Sequence, residues 1–347
     1  MKHFVNALLQ FLIVITSLLS IQTQAQQVLR PDELCSENPR AIASFADADL
    51  EAAVRSALSI GPVDDLACSL VTGLTALTTS GPGPTQIVSG SPRWPAADAP
   101  FESLAGLQNL TSLTRLALNN LDITDISQLS GLTNLTFLSL HTNYVSDISP
   151  LIGLTNLTSL LLSENPVSDI SALRNLTELR MLRLHSQQIF PRLPQDAPHM
   201  GSISDITPLR GLINLRDLSL HTMLITDISA LAGLINLTDL RINGNTISDI
   251  SVLSRLTNLK YLALHNNLIS DVSPLRELTN LMTLDLRFNP ELSNIQPLID
   301  NSGLSEGDTV EIRWTSVSCV DAALLEAEDV TVVSELEPPT AFGTCTP

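Results

Sequence analysis

The stretch from Leu132 to Gly153 reads LTNLTFLSLHTNYVSDISPLIG, and the same pattern returns with its first leucine at Leu110, Leu132, Leu154, Leu176, Leu212, Leu234, Leu256 and Leu278. The intervals are 22, 22, 22, 36, 22, 22 and 22, so the fourth copy carries 36 − 22 = 14 extra residues. Eight copies at one period predict a stacked coil. A single copy cannot bury its own apolar side, whereas neighbours in a stack cover one another.

Counting each copy from its first leucine, positions 1, 4, 7, 9, 14, 17 and 20 are apolar almost throughout. Positions 7 and 9 alternate with polar residues at 6, 8 and 10, which is the period of a short strand with one buried face. Position 12 is Asn143, Asn165, Asn245, Asn267 and Asn289 in five copies. A buried amide after each strand can satisfy backbone groups that a tight coil would otherwise strand. Leu121, Gln187 and Met223 break this column, which predicts local irregularity in repeats one, four and five. An Asp follows in a (Ser/Thr)-Asp-(Ile/Val) tail at Asp125, Asp147, Asp169, Asp205, Asp227, Asp249 and Asp271. Its carboxylate can accept free backbone N–H groups of a helical turn. So few residues remain before the next copy that a 3₁₀ turn fits better than a full helix.

This LxxLxLxxN core with (S/T)DI(S/T)PL tails resembles the leucine-rich repeats of bacterial internalins and protein-phosphatase regulators, over Leu110 to about Ile299. The resemblance implies an α/β solenoid: a curved right-handed coil, a parallel sheet on the concave face, 3₁₀ turns on the convex side, and a binding role. It also implies end caps. Residues 45–58, FADADLEAAVRSAL, form an amphipathic helix pattern started by Asp47 or Asp49, similar to an internalin N-terminal cap. Leu70 to Leu77 resembles a degenerate first repeat whose tail resumes at Phe101, Leu104 and Leu107, after the Gly, Pro and Ser-rich stretch 80–100. At the other end, Thr309 to Trp314 reads as a strand with Val310 and Ile312 inward, Ala322 to Ala327 as a helix, and Val330 to Val333 as a strand.

The expected organisation is a signal peptide over 1–25, an N-terminal cap over 26–109, eight repeats over 110–300 with an insertion at about 190–202, and a C-terminal cap over 301–347. Lys2 and His3 precede the apolar run from Ala7 to Leu19, and Thr23-Gln24-Ala25 offers a cleavage site, with an uncleaved anchor as the alternative. Export to the cell surface, periplasm or medium favours disulfides among Cys35, Cys68, Cys319 and Cys345. A long rigid coil between the two ends leaves Cys35–Cys68 and Cys319–Cys345 as the pairs within reach. No CxxC spacing favours a metal over these bridges.

The 347 residues carry 18 basic and 36 acidic side chains, a net charge of −18. That balance opposes the counterion release on which nucleic-acid binding depends and disfavours an anionic membrane. Removing the signal leaves 17 − 36 = −19, with Lys260 as the lysine that remains.

The outward strand positions are the candidate partner-binding set: Arg115, Phe137, His141, Arg183, His185, Asp217, His221, Asp239, Arg241, Tyr261, His265, Asp285 and Arg287. His185 and His221 share position 10 in neighbouring repeats, and His199 lies in the insertion between them. The three are candidates for a metal or pH-sensitive site, but no carboxylate or Cys completes a specific ligand motif. Asp217 and Asp239 are neighbours too, yet an open ladder lacks the cleft a glycosidase pair needs. The chain shows no GxSxG, HExxH or phosphate-cradling glycine loop. The expectation is a non-enzymatic binding module without cofactor, recognising a protein through the concave face and one loop rim. The alternative is a glycan-binding surface or matrix module, for which the face offers Phe137 and Tyr261, with Phe288 and the rim residue Tyr144 nearby.

Overall fold

The computed structural model describes residues 26–80, 101, 103–185 and 203–334. Residues 81–100 of the Gly, Pro and Ser-rich stretch, the insertion with His199, Gln187, and Cys345 lie outside them, as does the expected signal peptide.

Each repeat begins its strand one residue before the inward leucine of position 7. The strands are Ala76–Ser80 (β1), Arg115–Asn119 (β2), Phe137–Ser139 (β3), Ser159–Leu161 (β4), Met181–Arg183 (β5), Asp217–Ser219 (β6), Asp239–Arg241 (β7), Tyr261–Ala263 (β8), Thr283–Asp285 (β9), Thr309–Glu311 (β10) and Thr331–Val333 (β11). They form one open parallel sheet in strict sequence order. The register is unbroken across the insertion, where Leu182 faces Leu218. Because the register repeats, the leucines of positions 7 and 9 and the apolar residues of the turns merge into one continuous core from Leu29 to Val330. Most of these leucines are fully buried, each contributing roughly 1.5–3 kcal/mol relative to exposure.

The buried asparagines act between repeats. In Asn267, Nδ2 donates to the carbonyls of Ile242 (3.1 Å) and Leu264 (2.9 Å), and Oδ1 accepts from the Ile247 N–H at 3.1 Å. Asn143, Asn165, Asn245 and Asn289 repeat this pattern. Irregularity appears in repeat one, where Asp122 joins Asn120 in the left-handed region. Repeat five corrects the expectation. Met223 sits in the Asn slot at 6% exposure, and β6 pairs in register on both sides, since an apolar side chain fills the space without moving the backbone.

The Asp tails cap the turns as expected: the N–H two residues on donates to Oδ1, at 2.8 Å for Asp125 and Asp271. The turns themselves are short 3₁₀ segments such as Ser127–Leu129 and Ser251–Arg255. One feature is absent from the sequence pattern. Position 11 takes positive φ in the described repeats, at Asn120, Thr142, Glu164, Thr222, Gly244, Asn266 and Phe288, although one of these alone is glycine.

The caps cover both ends. Helix Ala48–Ala57 (α1) starts at Asp47, whose side chain accepts from the Asp49 and Leu50 amides, and it buries Leu50, Ala53 and Val54. A short helix, Cys68–Val71 (α2), leads into β1. Asn109 ties the cap to the coil: the Cys35 N–H donates to its Oδ1 at 2.7 Å, and its Nδ2 donates to the Glu33 carbonyl at 3.0 Å. The Cys35–Cys68 disulfide is formed. At the far end Gln296–Ile299 (α3) replaces a 3₁₀ turn, and Cys319–Glu326 (α4) begins earlier than Ala322 because Ser318 caps it. The strand expected to reach Trp314 ends at Glu311, since Trp314 takes the left-handed turn of position 11. Cys319 carries no free thiol; its expected partner Cys345 is outside the described residues.

Candidate functional site

Since the odd strand positions are committed to the core, positions 6, 8 and 10 of every strand project from the other side of the sheet. Adjacent strands are about 4.8 Å apart, so side chains on neighbouring repeats reach one another. From β5 to β10 they build an ionic network of two clusters, one on β5–β7 and one on β8–β10. Asp217 on β6 lies between two guanidiniums, 2.7 Å from Arg183 on β5 and 3.4 Å from Arg241 on β7. Arg241 also approaches Asp239 at 3.8 Å and lies over the Tyr261 ring, 4.5 Å from its centroid. Asp285 pairs with Arg287 at 2.6 Å and with His265 at 2.8 Å, and Asn243 meets the other nitrogen of His265 at 2.9 Å. Arg287 continues to Glu311 at 3.0 Å, which Arg313 contacts at 2.7 Å.

The histidine column is organised by packing. His185 and His221 stack at 4.1 Å between ring centroids and 17° between planes. His185 Nδ1 lies 3.0 Å from Ser163 Oγ and 3.2 Å from Ser219 Oγ. Burial, the neighbouring His221 and His141, and then Arg183 and Arg241 push His185 down to about 3. Burial, His265 and Arg241 bring His221 down to about 4. Burial also lowers His141, against a backbone bond from Ser163. Burial alone would raise the Asp285 carboxyl, but the bonds from Arg287 and His265 outweigh it and hold it well below the usual carboxylate range. Stacked imidazoles direct their ring nitrogens along parallel planes and do not converge on one ion. Among the described residues no group of three or more His, Cys, Asp or Glu could hold a metal. His199 lies outside them.

The sequence-predicted residues fall into two groups. Arg183, His185, Asp217, His221, Asp239, Arg241, Tyr261, His265, Asp285 and Arg287 form one continuous patch. Arg115 and Phe137 form a separate pair on β2 and β3, with the guanidinium 3.6 Å from the ring centroid, and His141 lies between the two. One expectation is corrected. The outward columns are not wet throughout: Ala117, Ser139, Ser219, Ala263 and Asp285 at position 8 and Ser163 at position 10 are buried. Position 8 is the middle of the outward set, so long side chains at 6 and 10 and on both neighbouring strands close over a small residue there. Glu311 and Arg313 extend the patch into the C-terminal cap and were not singled out from sequence. The inward Val310 and Ile312 were the signal that would have placed them outward. Likewise Phe288 and Trp314 stack at 4.0 Å on the rim, because both occupy the left-handed turn that follows a strand.

This geometry agrees with comparisons to known proteins. Residues 101–153, 235–277 and 257–300 match the family described as Leucine Rich repeats (2 copies). Internalin C2 of Listeria monocytogenes is 33% identical over 68% of this chain and 92% of its own, with a TM-score of 0.57. The internalin InlF of the same organism is 30% identical over 83% of this chain and 88% of its own, with a TM-score of 0.54. The chain belongs to the internalin-like leucine-rich-repeat family. No curated protein matches the sequence significantly. As an internalin-like protein, the chain has the architecture of a leucine-rich-repeat protein-interaction scaffold. InlJ of L. monocytogenes, at 21% identity, 79% of this chain, 56% of its own and a TM-score of 0.57, shares the fold.

Proposed function

We propose that this protein is an exported, non-enzymatic binding module that recognises a protein partner through the strand face from β5 to β10 and the adjoining loop rim. The observation that carries the reading is the ionic network itself. Its two clusters hold seven of the thirteen candidate residues on one open face, and each alternates in sign, from Arg183 to Asp239 and from Asp285 to Arg313. Charges arranged in this way give specificity and orientation to a protein contact, and arginine and tyrosine at the centre match the residue types that dominate binding energy. Both Asp217 oxygens are taken by guanidiniums, so this carboxylate is not presented as a general base. A related architecture holds a ligand in the ectodomain of a plant receptor kinase, 24% identical, solved in complex with Casparian strip integrity factor 2. The Cys35–Cys68 bridge suits an oxidising compartment, and no described helix is long and apolar enough to cross a membrane.

Replacing Arg183, Arg241, His221 and Tyr261 together with Ala tests the reading. Capture of an extracellular protein partner is expected to be lost, while replacing Thr133 and Thr155 outside the sheet leaves it intact. Unchanged capture by the fourfold variant would refute the proposed surface. The glycan alternative draws on the stacked Phe288 and Trp314, whose rings remain 43% and 40% exposed as a platform for a sugar face. Binding on a glycan array that Trp314→Ala abolishes and the fourfold variant leaves unchanged would favour it.

A further inference from the structure

The edge where each turn passes into the next strand is built from the same positions in every repeat, yet its chemistry changes along the coil. At the entries to repeats two and three these positions are Ser130, Gly131 and Thr136, and Ile152, Gly153 and Thr158, with no charge. From the end of repeat three onward the edge carries Arg174, Arg180, Arg210, Arg216, Arg255 and Lys260, all exposed, with one uncharged entry, Ala232, Gly233 and Thr238, between Arg216 and Arg255. The pairs Arg174/Arg180, Arg210/Arg216 and Arg255/Lys260 each flank one turn. Backbone bonds from Arg216 N–H to the Arg180 carbonyl and from Thr238 N–H to the Arg216 carbonyl, both repeated at Lys260, set these residues in adjacent rungs.

The backbone does not require these bases, since the uncharged repeats adopt the same turns. None of the six forms an ion pair with a described residue, in a chain with twice as many acids as bases. Glu178 is the acid on this stretch, Asp205 is close enough to Arg174 to feel its charge, and farther along Arg276 is already engaged by Asp300 at 3.4 Å beside Glu277. Apolar side chains stand between the bases. Ile213, between Arg210 and Arg216, is 54% exposed, and Ile235 in the next repeat 53%.

We infer that this basic edge is a second interaction surface, docking on an anionic lipid bilayer. A projecting row of turns meets a plane with all six bases at once, where a groove would not. The isoleucine tips have a use at the headgroup boundary that a soluble polyanion would not give them. Basic side chains near an anionic leaflet each add roughly fivefold to binding. The acidic excess of the rest of the chain is screened beyond a Debye length of about 8 Å, so the local sign of the edge dominates at contact. The strand face is left free, and this inference does not depend on what that face binds.

Co-sedimentation of the full chain with phosphatidylcholine vesicles containing phosphatidylglycerol, against pure phosphatidylcholine, tests it. Binding is expected to the anionic vesicles alone and to fall as salt rises. Converting Arg180, Arg210, Arg216 and Lys260 to Gln should weaken it at least ~100-fold, and Ile213→Ser with Ile235→Ser should weaken it while leaving the charge intact. These side chains make no described partner contacts, and circular dichroism of each variant verifies the fold; single Arg210→Gln and Arg216→Gln variants, each expected to lose roughly fivefold, replace any set that fails to fold. Absence of binding to anionic vesicles, binding that the Gln set leaves unchanged, or binding to soluble polyphosphate that matches the vesicles and ignores the isoleucines would overturn the inference.

Discussion

Replacing Asn267 with Leu should remove one rung of the internal amide ladder while keeping the space filled, because Leu121 occupies the equivalent slot at 1% exposure. The change strips the Ile247 N–H of its acceptor and takes one of two amide donors from each of the Ile242 and Leu264 carbonyls, which keep Asn245 and Asn289 respectively. A buried unsatisfied backbone group costs about 1–3 kcal/mol, with carbonyls at the low end because they keep a second lone pair. The orphaned N–H gives about 1–3 kcal/mol and the two carbonyls, each short of one bond, about 1 kcal/mol together, while the added apolar burial offsets roughly 1 kcal/mol, leaving a net loss of about 1–3 kcal/mol. Urea unfolding followed by circular dichroism measures the total, and hydrogen exchange at the Ile247 amide localises it. In a stack whose repeats interact with nearest neighbours, the loss of protection should concentrate in repeats six and seven. A loss of stability under about 1 kcal/mol, with Ile247 still protected, would refute the view that the amides hold the coil together.

Three further outcomes follow from the same structure. Thr142→Asn and Thr222→Asn, at φ values of 56° and 58°, should each raise stability by about 1 kcal/mol, since a β-branched residue is strained there and Asn is not; urea midpoints measure the gain. Gly303→Ala should loosen the C-terminal cap, because its Cβ would come within van der Waals overlap of the Thr279 backbone, and limited proteolysis should cut the variant after repeat eight while sparing the parent. The stacked histidines make stability pH-dependent. With His185 and His221 held at about 3 and about 4, the unfolded chain takes up protons near pH 6.5 before the folded one does. Their contribution is therefore full above pH ~6.5 and is lost as pH falls toward ~4 and ~3. Allowing for solvent screening at these part-exposed rings, the loss is on the order of 3 kcal/mol, and a His185→Gln/His221→Gln variant should show a flatter curve over that window. Equal slopes in parent and variant would contradict the assignment.

Periodicity made the coil legible. The inward leucines, the Asn column, the Asp caps and the outward direction of Arg183, Asp217 and Tyr261 all follow from where a residue stands in a 22-residue unit, because a parallel strand leaves each side chain one of two directions. The same reasoning overreached at position 8, where Ser219 and Ala263 point outward and are nonetheless buried. Direction is a property of one strand, whereas exposure depends on the neighbours on either side. The regular turn at Met223 was misjudged for a related reason, since the slot tolerates any side chain that fills it.

The amino-acid sequence by itself determined the stacking, the parallel sheet, the caps and the set of side chains sharing its outer face, since these depend on patterns local to one repeat. Only the tertiary structure decided which of them touch: Asp217 between Arg183 and Arg241, His185 flat against His221, Trp314 on Phe288. Such pairings join residues 24 to 36 positions apart, and their geometry is set by strand spacing and by the left-handed turn at position 11. That turn is adopted by Thr, Glu and Phe because the stack on both sides leaves the backbone no other path, a constraint that no single repeat contains.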